Sequence, residues 1–381
     1  MRIVILALNI MINCLFFSIN KGENLNLHQP VLGIVSTVFC IIIALTLCAQ
    51  FSVMTFNSWV GFIVTAMIPS QIIIALVWNS NYPEFLIKYK QPQKGIILLI
   101  LMVVMGLIAA FASLLFVGKS ITPPTPMLNM FTILSVVITM WLVVVWQCWP
   151  LSMVTKHPAI IGLGTLILTY LITFALFDTL FNFSFMSGAD FYTKLADPSG
   201  LFDAWTVLSF FLTTVALIDA LILLDFWPVT WLQKKVTFFE KQPASGLITT
   251  TLILLCAYSI WHIFVTFLNM DVVEYTVEIV VSFIFGEFIL LVMMQKTPFK
   301  TLKQPKRGTR SLVLCSLLAV SMYWLYKLIS FYIIGPVASG SPSYDLELWI
   351  ATAMLSITFP LLIVFGEFLE FTPLSSNESL D

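Results

Sequence analysis

The chain has 381 residues, 60% of them hydrophobic and only 10% charged, with a mean hydropathy of +1.01 and a net charge of −1. Soluble domains carry about 25% charged residues, so an ordinary soluble enzyme is excluded and most of this surface must face lipid. No polar block is long enough for a separate nucleotide-binding or catalytic domain, and strict apolar/polar alternation is absent, which leaves helices rather than a β-barrel.

A hydrocarbon core needs about 20 apolar residues per helix, and eleven runs qualify along the chain. The first, 1–19, resembles a secretory signal but lacks a small-residue cleavage site after it, so it is read as a retained helix. The second is 31–53. A polar break at 55–58 leads to the third, 59–78, and the basic loop 88–94 precedes the fourth, 95–118. The fifth is 127–149 and the sixth 160–183. The longest connector follows, 184–202, with Asp190, Asp197 and an Asp197-Pro198-Ser199-Gly200 turn. Runs seven to eleven are 204–227, 246–268, 272–294, 311–334 and 348–369, and the tail beyond is short, polar and acidic.

A motif recurs between runs. Gln29-Pro30-Val31-Leu32-Gly33, Gln91-Pro92-Gln93-Lys94-Gly95, Gln242-Pro243-Ala244-Ser245-Gly246 and Gln304-Pro305-Lys306-Arg307-Gly308 share the form Gln-Pro-x-x-Gly. His157-Pro158-Ala159-Ile160-Ile161-Gly162 is one residue longer. Upstream of each later copy the preceding run ends near Tyr82-Pro83, Trp149-Pro150, Trp227-Pro228 or Thr297-Pro298, and the last run ends near Thr372-Pro373. Proline stops one helix and is tolerated in the first turn of the next. The pattern predicts an all-α integral membrane protein of about eleven helices in a single domain. Five parallel two-helix repeats (1–53, 57–118, 127–183, 204–268, 272–334) would precede a terminal helix, 348–369. The alternative is that Pro, Lys and Trp simply gather at any helix end facing the same compartment.

Charge orients these helices. The motif-bearing loops and their flanks carry fourteen of the eighteen basic residues, whereas Arg2, Lys119 and Lys194 belong to the other side and Lys327 to a helix. The positive-inside rule makes the motif side cytoplasmic, the N-terminus external and the C-terminus cytoplasmic. A bacterial inner membrane is the expected location, with the basic loops against anionic headgroups. No nucleic acid is expected as a partner. A membrane-protein partner or a second copy remains open.

Ionisable residues inside spans are costly and mark candidate sites. Asp178, Asp219, His262, Glu274, Glu278 and Lys327 form the expected substrate or ion path. Glu274 and Glu278 share a helix face four residues apart, and Lys327 is the cation at similar depth. The plainer alternative makes Glu278 and Lys327 a structural pair and His262 a histidine bonded to a carbonyl of its own helix. Asp225, Glu287 and Glu367 are candidate cytoplasmic-side acids, and Phe285-Gly286-Glu287-Phe288 recurs as Phe365-Gly366-Glu367-Phe368. Their alternative is interfacial acids facing basic loops. Asn182-Phe183-Ser184 fits a glycosylation acceptor but hugs the membrane.

The six cysteines, Cys14, Cys40, Cys48, Cys148, Cys256 and Cys315, lie in apolar runs without C-x-x-C spacing and are read as small hydrophobes. No phosphate-binding, zinc-protease or nucleophile-elbow motif is present, and no catalytic residue, metal or cofactor is expected. The expected function is a transporter or permease for a small solute or ion, proton-coupled through the acids of runs six to ten. A non-catalytic subunit of a membrane complex is the alternative, and a lipid-processing enzyme using Asp178 and His262 a weaker one.

Overall fold

A computed structural model describes residues 27–188, 192–337, 339–340 and 344–375. Ten helices among them are long and apolar enough to cross a membrane. They are α1 (Val31–Cys48), α2 (Val53–Val77), α3 (Gln93–Phe116), α4 (Pro126–Val145), α5 (Pro158–Leu180), α6 (Ala204–Leu223), α7 (Ala244–Phe267), α8 (Val272–Met293), α9 (Lys306–Ile333) and α10 (Asp345–Phe368). They correspond to runs two to eleven. The first run, with Arg2, Lys21, Cys14 and Asp190, lies outside the described residues.

Helix starts follow the motif prolines closely. Pro30, Pro92, Pro243 and Pro305 are N-cap residues and Pro158 opens α5, so Lys94, Lys306 and Arg307 sit in first turns, and Arg310 just beyond one, rather than in loops. The polar break expected at 55–58 is displaced. α1 ends at Cys48, and Ser52 caps α2 by accepting from the Thr55 N–H at 3.3 Å. Ser58 is absorbed into the helix because its hydroxyl donates to the Met54 carbonyl at 2.7 Å.

Burial sorts the spans into two sets. α2, α4, α6, α8 and α10 are 67–72% buried, whereas α3, α5, α7 and α9 are 17–28% buried and α1 50%. The five well-buried helices form a closed ring, with α2 on α4, α4 on α6, α6 on α8, α8 on α10 and α10 on α2. The others stand outside, each between two ring helices: α3 against α2 and α10, α5 against α4 and α2, α7 against α6 and α4, α9 against α8 and α6, and α1 against α10 and α8. Consecutive spans alternate in direction, so the ring helices are parallel to one another and antiparallel to the outer set. The outer helices leave large apolar side chains such as Ile108, Phe111, Leu171, Leu255 and Leu317 exposed. α10, expected as a lone terminal helix, packs on α1, and the Leu27 N–H donates to the Leu374 carbonyl at 3.2 Å.

Every ring helix ends alike, in two successive left-handed residues: Asn79 and Ser80, Gln147 and Cys148, Asp225 and Phe226, Gln295 and Lys296, Glu370 and Phe371. The second N–H of the pair caps the helix from beyond its end, as from Ser80 to the Ile74 carbonyl at 2.9 Å and from Cys148 to Leu142 at 2.8 Å. On the opposite face the connector between α5 and α6 is tied by a two-residue parallel pairing of β1 (Phe181–Asn182) with β2 (Phe202–Asp203). Asp197 organises it, accepting from the Phe183 and Ser199 N–H groups and from the Tyr192 hydroxyl. That last bond raises the Tyr192 phenol above its ordinary value. Asn182 is held at both ends of its amide by Gly200 and Ser184.

Candidate functional site

The ring surrounds a cavity of about 160 Å³, partly open to its surroundings. All five ring helices line it, from Asn57, Pro126, Trp205, Thr276 and Leu348 in their first turns to Ile72, Met140, Val215, Phe288 and Phe359 at its floor. Fifteen residues separate Asn57 from Ile72, roughly 22 Å of helix. The walls between are mostly Ile, Val, Leu and Met, interrupted by Thr65 and Ser356, whose hydroxyls hydrogen-bond at 2.8 Å across α2 and α10. Near the first turns the Asn129 amide donates to the Asn57 carbonyl at 2.7 Å, and the side-chain oxygens of both asparagines are buried without a partner among the described residues. Such a chamber suits a largely apolar molecule oriented by a few polar contacts.

Below the floor lies a pair of carboxyls. Asp219 of α6 continues the cavity-lining face of Trp205, Leu208, Leu212 and Val215, one turn further on. Glu287 of α8 is three residues beyond the lining Ile284. Both are fully buried at 0% exposure, and none of their four carboxyl oxygens has a hydrogen-bond partner among the described residues. Around these residues α6 and α8 pack against each other, and α9, with Cys315, packs against both. The helices meet closely here because Gly286 has no side chain. A Cβ there would lie 2.7 Å from the Cys315 carbonyl oxygen. The sequence had divided these two acids between an outer path and an inner gate; the structure brings them together.

A second group lies toward the other end of α8 and α9. Glu278 accepts from the Tyr323 hydroxyl, Lys327 donates to that same hydroxyl at 3.0 Å, and the Lys327 ammonium is 3.9 Å from Glu278. Glu274 and Glu347 act on Tyr323 from nearby. Glu347 is itself held by Ser339 and the Gly340 N–H. Glu278 and Lys327 are both about one-third exposed, and the arrangement fastens α8 to α9 outside the cavity. The structure thus joins Glu274, Glu278 and Lys327 but leaves out two other candidates. His262 is exposed on α7, stacked on Tyr258 with ring centroids 5.8 Å apart, and Asp178 is exposed on α5.

At the motif end the Gln-Pro-x-x-Gly segments become joints. The side-chain amides of Gln29, Gln91, Gln242 and Gln304 donate to the carbonyls of Met293, Phe368, Val145 and Leu223, the last residues of α8, α10, α4 and α6, at 2.8, 2.8, 3.1 and 3.2 Å. In the fifth joint the direction reverses, and the Trp78 indole at the end of α2 donates to the Pro158 carbonyl at 2.9 Å. Each glutamine therefore clamps an outer helix to the ring helix one position before its own neighbouring ring helix, as α7 to α4 and α9 to α6. Asp225 belongs to one joint, ion-paired with Arg307, with Lys296 at 3.3 Å and with Gln304 donating at 3.0 Å. Burial pushes the Lys296 ammonium below its ordinary value. Glu370 pairs with Lys94 at 3.2 Å in another. Glu367 is exposed and lines an open polar cavity of about 270 Å³ at this end, with Asn79, Ser80, Lys94, Gln295 and Glu370.

The central cavity was invisible to sequence reasoning, which weighed only ionisable residues; its one sequence trace is the Asn57 and Asn129 polarity within otherwise apolar runs. Among the described residues no group of three or more His, Cys, Asp or Glu is placed to hold a metal ion. No family model, curated protein or solved structure matches the chain.

Proposed function

We propose that this chain is a multi-pass membrane transporter or permease for a small solute, and that the central cavity is its solute site. The observation that carries the proposal is the chamber itself, lined by all five ring helices and extending roughly 22 Å along them. A protein serving only as a scaffold has no need of a chamber this size on its axis, since empty apolar volume weakens packing. Its floor of five side chains, one from each ring helix, is thin. On α2, Ile72 lines the central cavity and Ala75, less than one turn away, lines the polar cavity at the other end.

The same reading includes five copies of a two-helix unit, each a ring helix followed by an outer helix, with α10 and α1 making the fifth across the chain ends. The clamps of the four glutamines, the five left-handed caps and the outer-helix positions support it. It also places the motif end in the cytoplasm of a bacterial cell. Thirteen of the sixteen basic residues within the described segments lie at that end.

The test is solute retention. Proteoliposomes of the purified chain are incubated with a pooled panel of small organic solutes, washed, and analysed by mass spectrometry. Retention of a solute above that of protein-free liposomes, abolished by Ile133→Trp, which fills the cavity from α4, is the expected result. Equal retention by the wild type, Ile133→Trp and protein-free liposomes would favour the non-catalytic subunit instead.

A further inference from the structure

We infer that Asp219 and Glu287 form one buried two-carboxyl site whose ligand is a proton, set one turn beyond the floor of the central cavity. As a coupling site it rests on the transport reading above; as a proton-binding site it stands by itself.

Two carboxylates taken out of water need compensation, because an isolated buried charge is expensive and two like charges side by side more so. The structure offers none of the usual compensation. Among the described residues no hydrogen-bond donor reaches any of the four oxygens, and no lysine or arginine is ion-paired with either group. The nearby cations are engaged elsewhere. Lys296 donates to the Ile222 carbonyl at 2.7 Å and pairs with Asp225, and Arg307 pairs with Asp225 as well. The third titratable group at the site is the Cys315 thiol of α9. Within their described spans, α4 and α7 bring no carboxylate, lysine or arginine toward it, and the only imidazole there, His262, is exposed.

A metal cation is the other species that two carboxylates could hold, and the surroundings do not suit one. Hard cations take about six to eight oxygen ligands. Leu223, one turn beyond Asp219, and Leu290, three residues beyond Glu287, pack with Cys315 in one buried apolar cluster, and among the described residues no three His, Cys, Asp or Glu side chains converge. A proton requires none of that shell. With protons bound, the pair is neutral and fits its apolar setting. Releasing one leaves a charge that this packing cannot solvate, so release must accompany movement of α6 or α8, the helices that also carry Val215 and Phe288 of the cavity floor. That shared mechanical link is what would couple a proton to a solute.

The experiment is infrared spectroscopy on the purified chain in nanodiscs, comparing wild type with the isosteric variants Asp219→Asn and Glu287→Gln and with the double variant. Size exclusion checks that each remains folded. The expected result is a protonated-carboxyl carbonyl band in the wild type that is lost in the double variant and unchanged when sodium chloride replaces choline chloride. No such band in the wild type, or its disappearance in sodium, would overturn the proton assignment. Proton flux, read by a pH-sensitive dye trapped in proteoliposomes under a pH gradient, separates this result from the transport reading. A band present in the wild type while the double variant and wild type show equal flux keeps the proton site and removes its coupling role.

Discussion

Asp225 shows how a residue's environment decides its role. Read from sequence it was a candidate gate, but it sits just past the end of α6 as the hub of Arg307, Lys296 and Gln304. Its quasi-equivalents explain why. In two joints the first left-handed residue of a ring-helix cap is paired with the residue before the motif glycine of an outer helix. Where that cap residue is acidic the facing residue is a cation, Asp225 with Arg307 and Glu370 with Lys94. Gln147 and Gln295, which are neutral, correspond by position to Ser245 and Leu32. Arg307→Ser should therefore lower stability by about 1 kcal/mol. Asp225→Gln in the same chain, which recreates the Gln147–Ser245 combination, should recover most of it in thermal unfolding. Full additivity of the two losses would show that the joints are not equivalent. Glu278 and Lys327 provide the contrast. Being about one-third exposed and bridged through Tyr323 outside the cavity, they are expected to contribute about 0.5–1 kcal/mol to stability. Glu278→Gln and Lys327→Met should leave solute retention intact; loss of retention at normal protein levels would return the solute path to the α8–α9 face.

At the scale of the element, the Gln-Pro-x-x-Gly segment is a joint with three working parts. Proline sets the helix start. In three copies the glutamine oxygen accepts from the N–H of the motif glycine, Gly95 to Gln91 at 3.2 Å, Gly246 to Gln242 at 3.0 Å and Gly308 to Gln304 at 3.0 Å, and in all four the amide reaches the neighbouring helix end. The glycine makes that reach possible. A Cβ on Gly95 would stand 2.7 Å from the Phe368 carbonyl oxygen, and one on Gly33 2.6 Å from that of Met293. These are backbone atoms that cannot turn aside as a side chain can. Gly95→Ala is expected to cost about 1–3 kcal/mol, visible as a lower melting temperature in detergent. An unchanged melting temperature would mean that α3 and α10 are free to separate here.

At the scale of the molecule, ten spans in two concentric sets put the apolar chamber on the axis and the lipid-facing side chains outside. The expected orientation can be checked directly in cells expressing Lys90→Cys or Lys194→Cys in a background without native cysteines. A membrane-impermeant maleimide added outside should label position 194 and leave position 90 unlabelled until the cells are opened. The reverse pattern would invert the chain and put the first-turn end of the cavity toward the cytoplasm.

Composition and run length alone settled that the chain is helical and long enough in ten described places to cross a membrane, because hydropathy and backbone satisfaction in lipid leave few other solutions. The helix starts were also legible, since proline acts on its own neighbours. Two things were not. Which helices face the axis depends on contacts between residues far apart in the chain, and the inner and outer spans are about equally apolar, so hydropathy cannot separate them. The site was hidden for the same reason. Asp219 and Glu287 are 68 residues apart and looked like separate groups at different depths, while His262 and Asp178 looked as eligible as they did. Only packing decided, by turning the latter two outward and burying the former two together beneath the floor of a chamber that no single helix encodes.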